Sequence, residues 1–420
     1  MKTLVAVLLF SFTCILDVQA TVADSTHRVG FSVNFNPGNE IKMDKYQRKW
    51  MQGTRNYSLG AELHLMSLPQ DSNAFAADYG YPTLSLGVKY SLNHGVTMHR
   101  KADSDWGMAQ EVDYTSRMGN SIAVYGAFAR PFFRSQRWEV DYTFNFGIGY
   151  TSHKYNPVNA IDNELIGSRW LIFFGAGLHA TYRFADQWGI KGGLEYWHLS
   201  NGGLNRPNKG ANFIGPMVAI CYYPYYAEVV HGKLPRYNPP FDKYLYLRFS
   251  TGVGGKTLHE DWQRTQFHTP KGHPDYRTDK FKRYACYSFQ ADVMYRYARR
   301  WASGVGLDLF YGTYSDYIKG LDEAAGSTMK HSPWSVGVAA KHEVFYGNIS
   351  LPISLGFYLF RKMGEDAKEM EKPFYETIGL HYSFPKLGGL RLGINVKAHL
   401  TRADYTEVVI GYPVMLYKRR

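Results

Sequence analysis

His198 and Ser200 stand two residues apart at the end of a run with strand periodicity, Trp188 to Ser200. Alternate side chains of a strand share a face. Trp188, Ile190, Leu194 and Tyr196 therefore form an apolar row that His198 and Ser200 continue, while Lys191 and Glu195 point the other way. Alpha carbons two apart on a strand are separated by roughly 7 Å, which permits a side-chain hydrogen bond when both lean together. A histidine beside a serine is a pairing used in nucleophilic acyl transfer, the imidazole taking the hydroxyl proton. The plainer reading is a polar end to a lipid-facing strand, where interfacial residues are expected.

The elements that must hold this pair read as long strands. From Trp138 to Tyr150 the even positions are Trp, Val, Tyr, Phe, Phe, Ile and Tyr, against Glu139, Asp141, Thr143, Asn145 and Gly147. Leu390, Leu392, Ile394, Val396, Ala398 and Leu400 alternate with Arg391, Asn395, Lys397 and His399. Such runs exceed a globular strand and match the roughly 9 to 11 residues that cross a bilayer obliquely. The chain is 16% aromatic with 41 glycines, which suits a barrel with a lipid-facing wall and aromatic girdles. A soluble β-sandwich is the competing architecture. No segment approaches the run of about 18 apolar residues of a membrane helix.

The connections alternate between long and short. Gly38 to Arg55, Asn93 to Gly119 and Thr257 to Arg283 are long and polar; Ala185 to Gln187, Tyr297 to Arg300 and Tyr346 to Asn348 are short. That rhythm is the one of bacterial outer-membrane barrels, with long outer loops and short periplasmic turns. The pattern predicts an all-β, antiparallel transmembrane barrel of about sixteen strands, about half on each side of a proline-rich stretch. That stretch, Pro224 to Phe241, contains Pro224, Pro235, Pro239 and Pro240 and reads as a linker or periplasmic turn. One barrel of about 16 strands is the preferred closure, and two barrels of about 8 strands in tandem the alternative.

The organisation follows. Residues 1–20 read as a secretory signal peptide: Lys2, an apolar run from Leu4 to Leu16, then Val18-Gln19-Ala20. Cleavage is expected after Ala20, discarding Cys14. Residues 21–223 form a first half with the candidate site, 224–241 the linker, and 242–420 a second half of unassigned role. Cys221 and Cys286 then remain, either bridged or as two free thiols, too few for a disulfide framework or a thiolate metal site.

The strand following the site descends from about Ala211, and Asn212, Ile214, Val218, Ile220 and Tyr222 share its lipid-facing parity. Asn212 thus lies across the loop from His198 and Ser200, near the outer leaflet. The string His198-Leu199-Ser200-Asn201-Gly202-Gly203-Leu204, followed by Pro207-Asn208-Lys209-Gly210 and Asn212, resembles the PagL-type lipid A 3-O-deacylases, outer-membrane esterases with an eight-stranded barrel. The likeness to the full barrel spans 21–223 and is carried residue by residue only in this motif region.

The resemblance implies Ser200 as nucleophile toward an acyl ester, His198 as general base, and Asn201 with the Gly203 backbone as oxyanion hole, each donor there worth about 3 kcal/mol. It further implies lipid A of lipopolysaccharide as substrate, the bacterial outer membrane as location, and outer-membrane lipids as surroundings. Where the family has a glutamate as third catalytic residue, this chain has Asn212. An asparagine oxygen can orient the imidazole but brings no negative charge to it. Glu195 has the wrong parity to supply a carboxylate, whereas Asp162 and Glu164 in the preceding outer loop are candidates. A non-catalytic lipid-binding or porin-like barrel is the alternative function.

Other groups read more plainly. Gly202, Gly203, Gly210 and Pro207 are loop formers, and Asn208 is expected to bond the loop backbone. Lys191, Glu195, Arg391, Lys397 and His399 face the interior, as a polar filling or as a pore lining. The net charge of +12 includes two basic loop clusters, Lys42, Lys45, Arg48, Lys49 and Arg55, and Arg277, Lys280, Lys282 and Arg283. Such loops suit lipopolysaccharide phosphates or plain solvation. Nucleic acid is not expected as a partner of an exported chain, and a homodimer is left open. His259, His268 and His273 with Asp261 and Asp275 match no familiar zinc spacing, and no cofactor or metal is expected.

Overall fold

Each half of the chain curls its strands into a closed antiparallel barrel. The computed structural model describes residues 29–106, 111–231, 237–371, 373–400 and 402–419. The signal peptide expected over 1–20, with Cys14 and the cleavage after Ala20, lies outside the described residues. The first barrel is made of β1 (Val29–Glu40), β2 (Met51–Met66), β3 (Thr83–Met98), a two-residue β4 (Ser116–Arg117), β5 (Ser121–Arg134), β6 (Trp138–Thr151), β7 (Trp170–Arg183), β8 (Trp188–Ser200) and β9 (Ala211–Tyr222). The second is made of β10 (Lys243–Lys256), β11 (Tyr284–Ala298), β12 (Trp301–Gly312), β13 (Trp334–Tyr346), β14 (Ile349–Arg361), β15 (Phe374–Phe384), β16 (Leu390–His399) and β17 (Arg402–Arg419).

β1 pairs with both β2 and β9, and β10 pairs with both β11 and β17. The preference for a single barrel of about 16 strands is thereby corrected to the tandem alternative. The physical reason is edge pairing: β1 and β9 satisfy each other's backbone groups, as do β10 and β17, so neither set of strands offers an edge to the other. The connection between them, long and proline-rich, holds a short helix at Tyr226–His231 and imposes no hairpin between β9 and β10.

Alternation along the strands decides which way each wall faces. Val33 and Ile220, opposite one another across the first closure, are each 55% exposed, and Phe249 and Tyr412 across the second are 50% and 46%. Bands of this kind are stable only against lipid. At one end of the first barrel Trp188, Tyr222 and Phe31 form an aromatic patch, with Trp188 and Tyr222 centred 5.0 Å apart. Inward-facing positions carry charge in pairs. Lys89 meets Glu195 at 2.7 Å and Lys191 meets Asp141 at 3.0 Å in the first barrel. Arg248 meets Asp292 at 2.7 Å and Glu343 at 3.0 Å, and Lys341 meets Asp308 at 2.6 Å, in the second. These networks fill the interiors, the polar-filling reading of the inward charges. Cys221 and Cys286 are free, buried thiols, each in a different barrel.

One connection departs from the expected rhythm. At the short-turn end, β2 and β3 are joined by a segment with two short helices, Pro69–Asp71 and Ala74–Asp78. It is longer because it serves as a dock. Asp78 pairs with Arg299 at 3.0 Å, the Tyr79 hydroxyl donates to the Phe345 carbonyl at 3.0 Å, and Phe75 packs against the lower core of the second barrel.

Glu343 anchors two guanidinium groups, Arg248 and Arg391, at the centre of the second barrel. Replacing it by alanine strands Arg391 and leaves Arg248 with Asp292 alone, a loss of about 3 to 5 kcal/mol for a broken buried pair. Glu343→Ala should lower the urea midpoint at which the heat-modifiable folded band disappears; an unshifted midpoint would show that the network contributes nothing to stability.

Candidate active site

β8 presents Tyr196, His198 and Ser200 on its outer side and Trp197 and Leu199 on its inner side. Trp197 and Leu199 belong to the core that closes the outer end of the first barrel, with Phe213, Leu165 and Ile166. Trp197 stacks on Phe213, their rings 5.4 Å apart, and lies under the Lys89 ammonium. That anchoring fixes the end of the strand and with it the direction of the alternate side chains.

β9 sets Asn212 directly opposite His198, and β7 sets Phe174 opposite His198 and Ile172 opposite Ser200. His198 Nδ1 lies 2.8 Å from Asn212 Oδ1. A carboxamide oxygen only accepts, so Nδ1 carries the proton and Nε2 keeps its lone pair. The amide is itself oriented: its Nδ2 donates to the Gly210 carbonyl at 3.3 Å, and the Tyr196 hydroxyl donates to Oδ1 at 2.8 Å. The Asn212 backbone N–H donates to the two Glu40 carboxylate oxygens at 2.9 and 3.0 Å. Gly210 has φ +76°, and a Cβ there would come within 2.5 Å of His198 Cε1. Glycine therefore lets the returning loop lie on the imidazole.

Ser200 is 8% exposed, in contrast to Leu194 earlier in the same row at 53%. Its hydroxyl has no hydrogen bond to His198 among the described residues, and such bonds commonly tighten only when substrate is present. The outward row thus ends at a seam rather than in open lipid, because the second barrel seats against the following loop. The Gly202 carbonyl accepts from the Thr406 hydroxyl at 2.8 Å, and the Gly203 carbonyl from the Thr257 hydroxyl at 3.1 Å.

Within that loop Asn201 Oδ1 accepts from the N–H groups of Gly203 at 3.1 Å and Asn205 at 3.3 Å, and its Nδ2 donates to the Asn205 carbonyl at 3.0 Å. Asn208 Oδ1 accepts the Asn201 N–H at 2.9 Å, holding the loop by its backbone. Asn201 and Gly203 are therefore brought together, with the Gly203 N–H resting on the Asn201 side chain.

The two loop carboxylates have other partners. Glu164 and Asp44 flank the Lys209 ammonium at 2.9 and 2.8 Å, tying three outer loops together beneath the Tyr46 ring. Burial pulls the Lys209 pKa down, but Glu164 and Asp44 outweigh it and hold it above its ordinary value. Asp162 accepts the Arg100 backbone N–H at 3.0 Å; burial raises its pKa, partly offset by the Arg100 guanidinium. Glu195 faces inward, bonded to Lys89 and Asn36. Glu40, Tyr196, Thr257 and Thr406 are the site neighbours that sequence reading missed. Tyr196 was within reach, since it shares the row of His198; Glu40 has inward parity on a strand nearly the whole barrel away in sequence.

Among the described residues, Glu371, His399 and Asp404 form a group of the kind that could hold a metal ion, their ligand atoms within 4.8 Å. Lys397 already sits on Asp404 at 2.6 Å, Lys256 on the same carboxylate at 2.5 Å, and Arg361 on Glu371. Burial would raise the Glu371 pKa, yet the Arg361 and Lys256 charges outweigh it and hold it below its ordinary value. The positive charge that a cation would supply is present in those side chains.

Residues 81–220 match the family model of lipid A 3-O-deacylase (PagL), and residues 245–415 match the model of the acyloxyacyl hydrolase C-terminal domain. Among solved structures, the outer membrane enzyme PagL is 15% identical with TM-score 0.29, covering 46% of this chain and 98% of that one. The N-terminal β-barrel of Pseudomonas aeruginosa OprF is 8% identical with TM-score 0.23, covering 46% and 97%. The FrpB iron transporter from Neisseria meningitidis is 8% identical with TM-score 0.23, covering 93% and 70%. No curated protein matches the chain.

The clamp on Lys209 yields a test of the loop carboxylates. A charged third catalytic residue is worth up to about 10⁴ in rate when removed from a serine triad. Glu164→Gln and Asp162→Asn should instead weaken the outer loops, seen as faster protease nicking, and leave the ester hydrolysis rate near wild type. A thousandfold loss in either variant would make that residue the missing carboxylate.

Proposed function

From the membership of this chain in the PagL lipid A 3-O-deacylase family, with an acyloxyacyl hydrolase C-terminal domain as its second barrel, we propose that it cleaves an ester-linked acyl chain from lipid A by a serine–histidine mechanism. The coarser activity, a lipid A deacylase of the outer membrane and hence an ester hydrolase, is the family's. The finer reading assigns Ser200 as nucleophile, His198 as general base, Asn212 as the group that orients the imidazole, and Asn201 with Gly203 as the oxyanion hole.

The observation that carries this reading is the His198 Nδ1 to Asn212 Oδ1 hydrogen bond at 2.8 Å. It keeps the proton on Nδ1, so Nε2 is the free base. Ser200 Oγ attacks the acyl carbonyl while Nε2 takes its proton; the tetrahedral intermediate collapses, and the imidazolium returns that proton to the departing sugar hydroxyl. Water, deprotonated by the same nitrogen, then releases the fatty acid from Ser200. A developing oxyanion is a stronger acceptor than a neutral amide oxygen, charge-assisted bonds being about twice as strong. The Gly203 N–H can therefore transfer from Asn201 Oδ1 to the substrate as charge builds. An outer-leaflet lipid reaches such a site by lateral diffusion without leaving the membrane.

Mass spectrometry of lipid A from cells expressing each surface-confirmed protein tests the assignment. Wild type should remove one hydroxyacyl chain, and Ser200→Ala and His198→Asn should remove none. Asn212→Ala loses one neutral hydrogen bond of about 1 to 1.5 kcal/mol and should slow release about tenfold. Near-normal deacylation by Ser200→Ala or His198→Asn would overturn the roles, and identical lipid A from all strains would overturn the activity.

A further inference from the structure

The second barrel holds the loop that follows Ser200 at two successive carbonyls, and nothing in the mechanism above uses it. We propose that Thr406 and Thr257 of the second barrel are positioning residues for the oxyanion hole, so that the two barrels together make one hydrolase. This inference rests on the serine–histidine reading.

The argument is one of peptide geometry. A trans peptide is planar, so the C=O of one residue and the N–H of the next are two ends of a single rigid unit pointing opposite ways. Thr406 Oγ1 donates to the Gly202 carbonyl at 2.8 Å. The other end of that same unit is the Gly203 N–H, the group assigned to the oxyanion. Thr257 grips the next unit, its backbone N–H at 3.2 Å and its hydroxyl at 3.1 Å from the Gly203 carbonyl. Gly202 and Gly203 have φ of +62° and +85°, conformations that glycine holds without a steric penalty but does not enforce. Bonds within the loop, through Asn201 and Asn208, hold the N–H side of this turn, and the threonines hold its carbonyl side from outside. Thr257 and Thr406 are 0% and 3% exposed, so the bonds are made away from competing water.

The fit is close on both sides. A Cβ on Gly202 would come within 2.1 Å of Thr406 Oγ1, and one on Gly203 within 2.7 Å of the Asp404 carbonyl. The Arg206 guanidinium completes the seam by donating through Nε to the Thr257 carbonyl at 3.1 Å. A pair of barrels that merely stood side by side would need none of this at the residues next to the nucleophile. The Asp78 to Arg299 pair already joins them at the far end.

The test separates positioning from simple attachment and does not depend on lipid A. A fluorophosphonate probe reacts with an activated serine, and its P=O oxygen occupies the oxyanion position. Full-length wild type, Thr406→Val, Thr406→Ser and Arg299→Met are labelled in detergent micelles, with the labelled residue read by peptide mass spectrometry and folding by heat modifiability. Thr406→Val, which keeps the shape and loses the donor, should label Ser200 about tenfold to hundredfold more slowly. In parallel lipid A assays it should lower kcat with KM unchanged. Thr406→Ser should restore the rate, and Arg299→Met, which removes one ion pair at the far end, should leave it unchanged. Thr257→Val, keeping its backbone donor, serves the same purpose if Thr406→Val does not fold.

Labelling of the valine variants at the wild-type rate would overturn the proposal, as would an equal slowing by Arg299→Met. Wild type that labels at Ser200 yet frees no fatty acid from lipid A would overturn the substrate reading while the threonine comparison still decides this one. Wild type that does not label would overturn both.

Discussion

In the hydrocarbon of a bilayer every backbone N–H and C=O must find a partner within the protein, since no water is there to serve. Each barrel meets that requirement separately, β1 closing on β9 and β10 on β17. Because closure is complete, the strands of one half have nothing to offer the other, and the barrels meet only through side chains, loops and turns. Closure also fixes parity around the whole wall. Once Val33 and Ile220 face lipid, Lys89, Asp141 and Glu195 must face inward, and their charges must pair there. The same parity turns His198 and Asn212 outward, side by side on neighbouring strands.

The proposed chemistry is set by what stands opposite the imidazole. Asn212 orients His198 and keeps one tautomer, and Tyr196 and Gly210 in turn fix the amide. What Asn212 does not bring is charge. In a serine mechanism the imidazolium forms fully, so an asparagine lowers the stabilisation available to it, in contrast to enzymes whose cysteine nucleophile is already a thiolate. Glu40 places a carboxylate on the far side of the same residue, bound to its backbone N–H rather than to the ring.

Strand identity was legible because period-2 alternation is local. The runs read from Trp138 and from Leu390 are β6 and β16, and the facing of Asn212 across from His198 followed from the parity of a single hairpin. Closure was not legible, since it depends on β1 finding β9 across most of the first half, which no local window contains. The burial of Ser200 was hidden for a related reason: parity points it outward, but the loop that follows it is held in place by the second barrel, a tertiary contact. Glu164 and Asp162 looked suitable because their loop precedes the site, yet Lys209 and Arg100 engage them first.

Acid-quenched peptide mass spectrometry on the full-length protein mixed briefly with lipid A tests the central claim most directly. The account predicts a peptide containing Ser200 that is heavier by one hydroxyacyl group, rising within the first turnover and absent from His198→Asn. Release of fatty acid with the Ser200 peptide unmodified at every time, or with the acyl group on another residue, would contradict it.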